Sequence, residues 1–288
     1  MAPSQFLKFP QVKGKMTAAA LNEYLRSIVE VNEPSVDRVI IGDPATEIKK
    51  VGTAWMPYWE TLKEAHAQGV NVLVVHEPTF YTHWDLEAEN TDWLAAPSPG
   101  RDNYLKIRDD KKKWIEDQGM VIIRCHDVLD KVKGWGIPFA LGQALGFTNE
   151  DIIRSRDYYN VYKTKPGKAI DIARRVAKSL SVANQPGVAF YGDENYRVET
   201  IGLGTGTICD PLKFADLQPD IYISIEDSVR TWIQTYYATD SGKPLIVINH
   251  GTSEEFGTRS LSQHLNENLK DIEVIHFPEG CTYRWVTV

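Results

Sequence analysis

Apolar and polar residues fall in blocks whose period switches repeatedly between that of a helix and that of a strand. Residues 16–31 are rich in helix formers, and Thr17 stands where an N-cap belongs. Residues 36–42 and 50–54 read as strands, and 58–68 as a helix stopped at Gly69. Residues 70–76 (VNVLVVH) form a nearly unbroken apolar, β-branched run, the pattern of a strand covered on both faces. A polar and aromatic stretch over 78–103, containing Ala95-Ala96-Pro97-Ser98-Pro99-Gly100, reads as a loop; loops of that length are uncommon unless they serve a function. A charged helix over 104–118 and a second apolar run over 120–125 follow. In the second half, strands are expected at 158–163, 187–191, 198–203, 221–226, 244–249 and 272–277, and helices at 167–180, 227–237 and 260–269. Alternating strands and helices define an α/β protein with sheets flanked by helices. The break in pattern near 146–156 divides the chain into domains 1–150 and 151–288.

Length supports that division, since 288 residues make about two domains at ~100–200 residues each. A hydrophobic share of 42% with 25% charged residues is that of a folded chain. The net charge of −7 argues against a general electrostatic grip on nucleic acid. Cys125, Cys209 and Cys281 are odd in number and lack CxxC spacing, which indicates neither a disulfide framework nor a zinc ribbon. No apolar run approaches the ~18–20 residues of a membrane helix, and residues 1–16 lack the apolar core of a signal peptide. The expectation is a soluble, cytoplasmic protein with no membrane partner.

The chemistry gathers at three strand exits. Of seven histidines, His76, His126 and His250 stand immediately at or after strongly apolar runs, VNVLVV, MVIIRC and PLIVIN. Each has an acid at a useful spacing: Glu77 directly after His76, Asp130 four residues after His126, and Glu254 four residues after His250. A separation of four puts two side chains on one face of a helix. His76 and Glu77 converge only where the strand ends and bends, and Pro78 ends the ladder there. Strand exits are also where open α/β sheets place ligands. Any one of these histidines alone reads best as a structural residue; three matched exits together favour metal ligation. Three imidazoles and three carboxylates suit two divalent cations (zinc, iron or manganese), which at roughly 3.5–4 Å apart can activate a water and polarise a phosphoryl or carbonyl oxygen. His126 reads either as a sixth ligand or as a group that orients Asp130 or contacts substrate.

Other signals are weaker. Gly202-Leu203-Gly204-Thr205-Gly206 completes neither a Walker motif nor GxGxxG, and reads as a tight turn. Phe80, Tyr81, His83 and Trp84 either wall a substrate pocket or pack beneath the long loop. Lys131 and Lys133 read as solvated or as attracting a small anionic substrate, and Lys111 to Lys113 as a solvated face offset by Asp109 and Asp110.

These motifs, in this order, resemble the Nif-three-like family, also described as GTP cyclohydrolase 1 type 2-like dinuclear metal-centre proteins. VDRVIIGDP and KKVGTAWMPYWETLKEAHAQGVNVLVVHEPTFY resemble its first half, which ends a strand in His-His-Pro. CHDVLDKVKGWGIPFALGQALGF resembles its HTxxD segment, ETIGLGTG its glycine-rich strand exit, IYISIEDSVRTW its TGE-bearing turn, and INHGTSEEFG its GHxxxE signature. The resemblance assigns metal ligation to His76, His126, Asp130, His250 and Glu254, with Glu254 bridging the cations. Glu77 replaces the second histidine, Asp127 the threonine and Asn249 the glycine; a carboxylate at Glu77 shifts the site toward harder cations. The resemblance further implies two related α/β domains with mixed sheets, a metal site in the cleft between them to which the 244–288 end returns, and a homohexameric ring. The expected function is a two-metal hydrolase acting on a phosphoester or nucleotide-like substrate. The alternatives are a non-catalytic metal-stabilised ring that binds partners or regulates them, and a metal store.

Overall fold

The computed structural model describes residues 15–87, 98–269 and 271–286. The expected loop residues Ala95, Ala96 and Pro97 and most of the N-terminal segment lie outside them. The elements in chain order are α1 (Ala18–Ser27), β1 (Val39–Ile41), β2 (Lys50–Ala54), α2 (Trp59–Ala67), β3 (Val72–Val75), α3 (Pro99–Asp117), β4 (Val121–Arg124), α4 (Asp127–Lys131), α5 (Ile137–Ala144), β5 (Ile152–Arg156), β6 (Tyr159–Lys168), α6 (Ala169–Leu180), β7 (Ala189–Tyr191), β8 (Arg197–Leu203), β9 (Ile221–Ile225), α7 (Tyr236–Asp240), β10 (Leu245–Ile248), α8 (His250–Asn268) and β11 (Glu273–His276).

Two mixed sheets carry these strands, each flanked by helices. The first has the order β1-β4-β3-β2-β11, with β1 antiparallel and the others parallel. The second has the order β5-β6-β8-β9-β10-β7, in which β8, β9 and β10 run parallel. The chain forms two compact units. One takes in the chain up to Leu129 together with Leu261–Phe277; the other takes in Asp130–Ser260 and the chain from Pro278. Residues beyond 260 serve both units, because β11 pairs with β2 in the first sheet.

The apolar runs make the core strands as their composition requires. Val72, Leu73, Val74 and Val75 are at most 1% exposed, and Val121, Ile122 and Ile123 are fully buried. Each such side chain contributes about 1.5–3 kcal/mol. In the second unit, Ile172, Ala173, Val176 and Leu180 of α6 pack with Ile201, Leu203, Ile221 and Ile223. Thr17 caps α1 by accepting from the Ala20 amide at 3.3 Å. Phe80 belongs to the first unit's core, whereas Tyr81 is exposed. No described helix is long and apolar enough to cross a membrane.

Several segments differ from the sequence reading. Helix α3 starts at Pro99 rather than 104, because Ser98 accepts from the Arg101 amide and proline fits the first turn. Residues 227–237 are not one α-helix: Val229 and Arg230 are extended, and Gln234 Oε1 accepts from the Arg230 amide. Helix α8 starts ten residues before the expected 260, at His250, where Asn249 Oδ1 accepts from the Thr252 amide at 3.2 Å.

Candidate metal centre

In the first unit, parallel pairing places Val75 of β3 opposite Arg124 of β4, so the next residues along both strands leave the sheet side by side. The amides of His76 and Glu77 both donate to the Trp55 carbonyl, at 3.1 and 2.8 Å. The backbone therefore bends at the strand end, and two adjacent side chains converge. His76 Nδ1 lies 3.3 Å from the Cys125 carbonyl, and its ring stacks on His126 with centroids 4.5 Å apart. His126 Nδ1 lies 2.9 Å from Asp127 Oδ1. Asp127 Oδ2 accepts in turn from the Ser35 hydroxyl at 2.8 Å. The Asp37 carboxylate takes the amides of His126, Asp127 and Val128, which fixes the start of α4. One ligand atom from each of His76, Glu77 and His126 lies within 4.8 Å of the others, a group that could hold a metal ion.

Arg124 is the charge at the centre of this unit's site. Its side chain is fully buried. Nε donates to the His76 carbonyl at 3.0 Å, and Nη1 donates to the His83 carbonyl. Nη2 stands 3.5 Å from Glu77 Oε2, and Nη1 stands 3.6 Å from Asp85 Oδ2. Burial pushes the guanidinium pKa down, while Glu77 and Asp85 oppose that shift. Burial likewise raises the Asp85 carboxyl, against the pull of Arg124 and the Phe80 and Thr79 amides. Burial raises the Asp127 carboxyl too, but hydrogen bonds from His126 and Ser35 outweigh it, and its pKa falls below the usual carboxylate range. His83 sits edge-on to His126 at 5.7 Å; burial and the Arg124 charge lower its pKa.

The second unit repeats the construction. Pairing of Ile248 with Ile225 aligns the exits of β10 and β9, which puts Glu226 and Asp227 beside Asn249 and His250. Glu226 Oε1 accepts from the His250 amide at 3.0 Å and from Asn249 Nδ2 at 2.5 Å. Burial raises the Glu226 carboxyl, and the His250 amide partly offsets it. His250 Nδ1 lies 2.8 Å from Asp227 Oδ2. Because α8 begins at His250, Glu254 falls one turn on, with Oε2 3.1 Å from His250 Nε2. Gly206, at φ +67°, leaves room for that glutamate: a Cβ there would lie 2.8 Å from Glu254 Oε1. The remaining expected ligand, Asp130, is a half-buried residue of α4.

All three histidines share one device. Nδ1 faces an oxygen acceptor (the Cys125 carbonyl, the Asp127 carboxylate or the Asp227 carboxylate), which calls for a proton on Nδ1 and, in the neutral ring, leaves the lone pair on Nε2. That is the tautomer of a metal ligand held by its neighbour. At His250 it also turns Nε2 toward an acid oxygen 3.1 Å away, a contact that either a shared cation or a proton on Nε2 satisfies. The donor set of imidazole and carboxylate fits zinc, iron or manganese. Sequence reasoning did not find Arg124, Asp37 or Asp227 as parts of these groups. A lone arginine within an apolar strand was the available signal for the first; Asp37 and Asp227 gave none, because each acts through contacts remote in sequence.

A profile of Duf34/NIF3 (NGG1p interacting factor 3) matches residues 102–280, more than half of the chain. The chain belongs to the Duf34/NIF3 family. No curated protein matches it. Among solved structures, this NIF3 chain is similar to a hypothetical protein of Staphylococcus aureus, at TM-score 0.74 and 18% identity over 95% of this chain and 100% of the other. It is similar to a Bacillus cereus protein related to NIF3, at TM-score 0.75 and 13% identity over 96% and 100%. It is also similar to reduced HcgD from Methanocaldococcus jannaschii, at TM-score 0.63 and 19% identity over 91% and 98%. At these identities the likeness is one of fold.

Proposed function

We propose that this NIF3-family chain is a metal-dependent hydrolase whose His76, Glu77, His126, Asp130, His250 and Glu254 hold two divalent cations. The observation that carries the proposal is the shared orientation of the three histidines, each with Nδ1 tied to an oxygen acceptor. Divalent cations supply, when bound, the charge that polarises a phosphoryl or carbonyl oxygen and acidifies a water. The chain's own residues do the rest. Asp127 and Asp227 fix the rings of His126 and His250. Arg124 anchors the backbone of His76 and faces the Glu77 carboxylate, so that a glutamate can serve at a strand exit without an uncompensated buried charge. The substrate class that suits paired cations is a phosphoester or nucleotide-like anion.

Hydrolysis of a panel of phosphomonoesters, phosphodiesters and nucleotides by manganese- or zinc-loaded protein tests the reading. Turnover that falls at least ~100-fold in His76→Ala and in His250→Ala supports it. Metal-loaded protein that turns over nothing in the panel, or turnover indifferent to both substitutions, points to a non-catalytic metal-binding scaffold.

A further inference from the structure

The second unit holds a cavity of about 220 Å³ whose walls belong to none of the proposed metal ligands. Its lining includes Tyr191, Tyr283 and Trp285, the aliphatic residue Val229, and one charged residue, Glu226. No basic residue lines it among the described residues. Tyr283 and Trp285 lie on the segment after β11, which the second unit holds in place. Glu255 accepts from the Glu279 and Gly280 amides, Asn249 exchanges hydrogen bonds with Thr282, and the Cys281 amide donates to the Ala183 carbonyl.

Two features decide what such a cavity takes. The first is the carboxylate. Glu226 Oε1 is engaged by Asn249 and His250, but the buried Oε2 has no hydrogen-bond partner among the described residues. A buried carboxylate oxygen in that state favours a positive charge nearby; closed to solvent, it acts on an occupant of the cavity through its charge rather than through a direct hydrogen bond. The second is the ring geometry. Tyr283 and Trp285 stand 5.8 Å apart at 54°, so they meet as adjoining walls. A flat ring inserted between two others needs parallel faces about 7 Å apart, twice the stacking distance, and this pair does not offer them. Adjoining aromatic faces beside a single carboxylate are the surroundings that attract a compact organic cation, through the negative ring faces and the acid together.

We propose that this cavity binds an alkylated ammonium group, with Tyr283 and Trp285 as aromatic walls and Glu226 as counter-charge. The inference does not depend on the metal reading, since no proposed ligand forms part of the cavity. Through Glu226, the same carboxylate that receives the His250 amide, an occupant would lie next to the second unit's histidine without touching it.

The test is a calorimetric and proton-NMR titration of the full chain, free of added metal, with choline and with its neutral isostere 3,3-dimethylbutan-1-ol at matched ionic strength. Choline should saturate a single site and bind about tenfold tighter than the isostere, the difference expected of a desolvated cation on aromatic faces. Trp285→Leu, which alters a partly exposed residue, should weaken choline about tenfold and leave the isostere within about twofold. Glu226→Gln should weaken choline while the melting temperature stays near that of the wild type. Equal affinity for choline and the isostere would reveal a merely apolar hollow and overturn the proposal. So would the absence of saturable choline binding, or choline binding unchanged in Trp285→Leu.

Discussion

Asp227 Oδ2 lies 2.8 Å from Nδ1 of His250, across the exits of two adjacent parallel strands. The contact orients the imidazole and turns Nε2 toward Glu254, one helical turn away. Removing a carboxylate that orients a metal-binding histidine typically costs 10–100-fold in metal affinity. Asp227→Ala should therefore weaken zinc or manganese binding by about 10–100-fold in calorimetric titration. Asp227 is about half exposed, so its melting temperature should change little.

Arg124 makes the opposite kind of prediction, one about folding. It is fully buried between Glu77 and Asp85 and donates to two backbone carbonyls. Arg124→Met leaves buried carboxylates facing an apolar side chain and should destabilise the metal-free protein by about 3–5 kcal/mol in denaturant unfolding. Adding Glu77→Gln should recover part of that loss, because the neutral amide no longer needs the cation. Losses that simply add in the double variant would show that Glu77 and Arg124 are not coupled.

Gly206 stands at φ +67° against Glu254. Alanine at that position meets the left-handed penalty of about 1–2 kcal/mol and also crowds Glu254 Oε1. Gly206→Ala should lower both the melting temperature and the metal affinity. A variant that loses stability but keeps the wild-type affinity would remove the glycine from the site's construction.

How much of this was legible beforehand depends on where each signal resides. The exits at His76, His126 and His250 could be read because β-branched apolar runs are local and end abruptly at a histidine. The start of α8 could not. Gly251, Thr252 and Ser253 are poor helix formers, and the helix begins there because Asn249 caps it and the chain from 252 to 255 is buried. Residues 227–237 hold only two strong helix formers, Arg230 and Gln234, and there Asp227 is held on His250 while Gln234 turns back to the Arg230 amide. Strand β5 was missed because its residues after Ile152 are exposed, and pairing with β6, not an apolar run, makes it a strand. Arg124 follows the same rule: an arginine within VIIR reads as a strand end, and only its partners on the segment from His76 to Asp85 give it a role.

His264 gives a pH dependence that can be checked away from the metal groups. It stacks on Tyr24 and shares a 2.7 Å hydrogen bond with its hydroxyl, while Glu267 is the charge that opposes the effect of burial. Burial lowers its pKa below the ordinary 6.5. Between that lowered value and 6.5, the unfolded chain binds more protons than the folded one, so stability rises with pH in this window. Its contribution is complete above 6.5 and fades as pH falls toward the folded value. Denaturant unfolding from pH 7.5 down to pH 5 should show this loss, and His264→Gln should flatten the slope by up to about one proton.

Metal binding itself is the most direct test of the central claim. Protein stripped by chelator, dialysed against manganese or zinc and assayed by elemental mass spectrometry should hold about two ions per chain. His76→Ala and His250→Ala, each verified as folded, should each lose a substantial part of that content. Wild-type protein that retains no stoichiometric metal, or variants that retain as much as the wild type, would contradict the assignment.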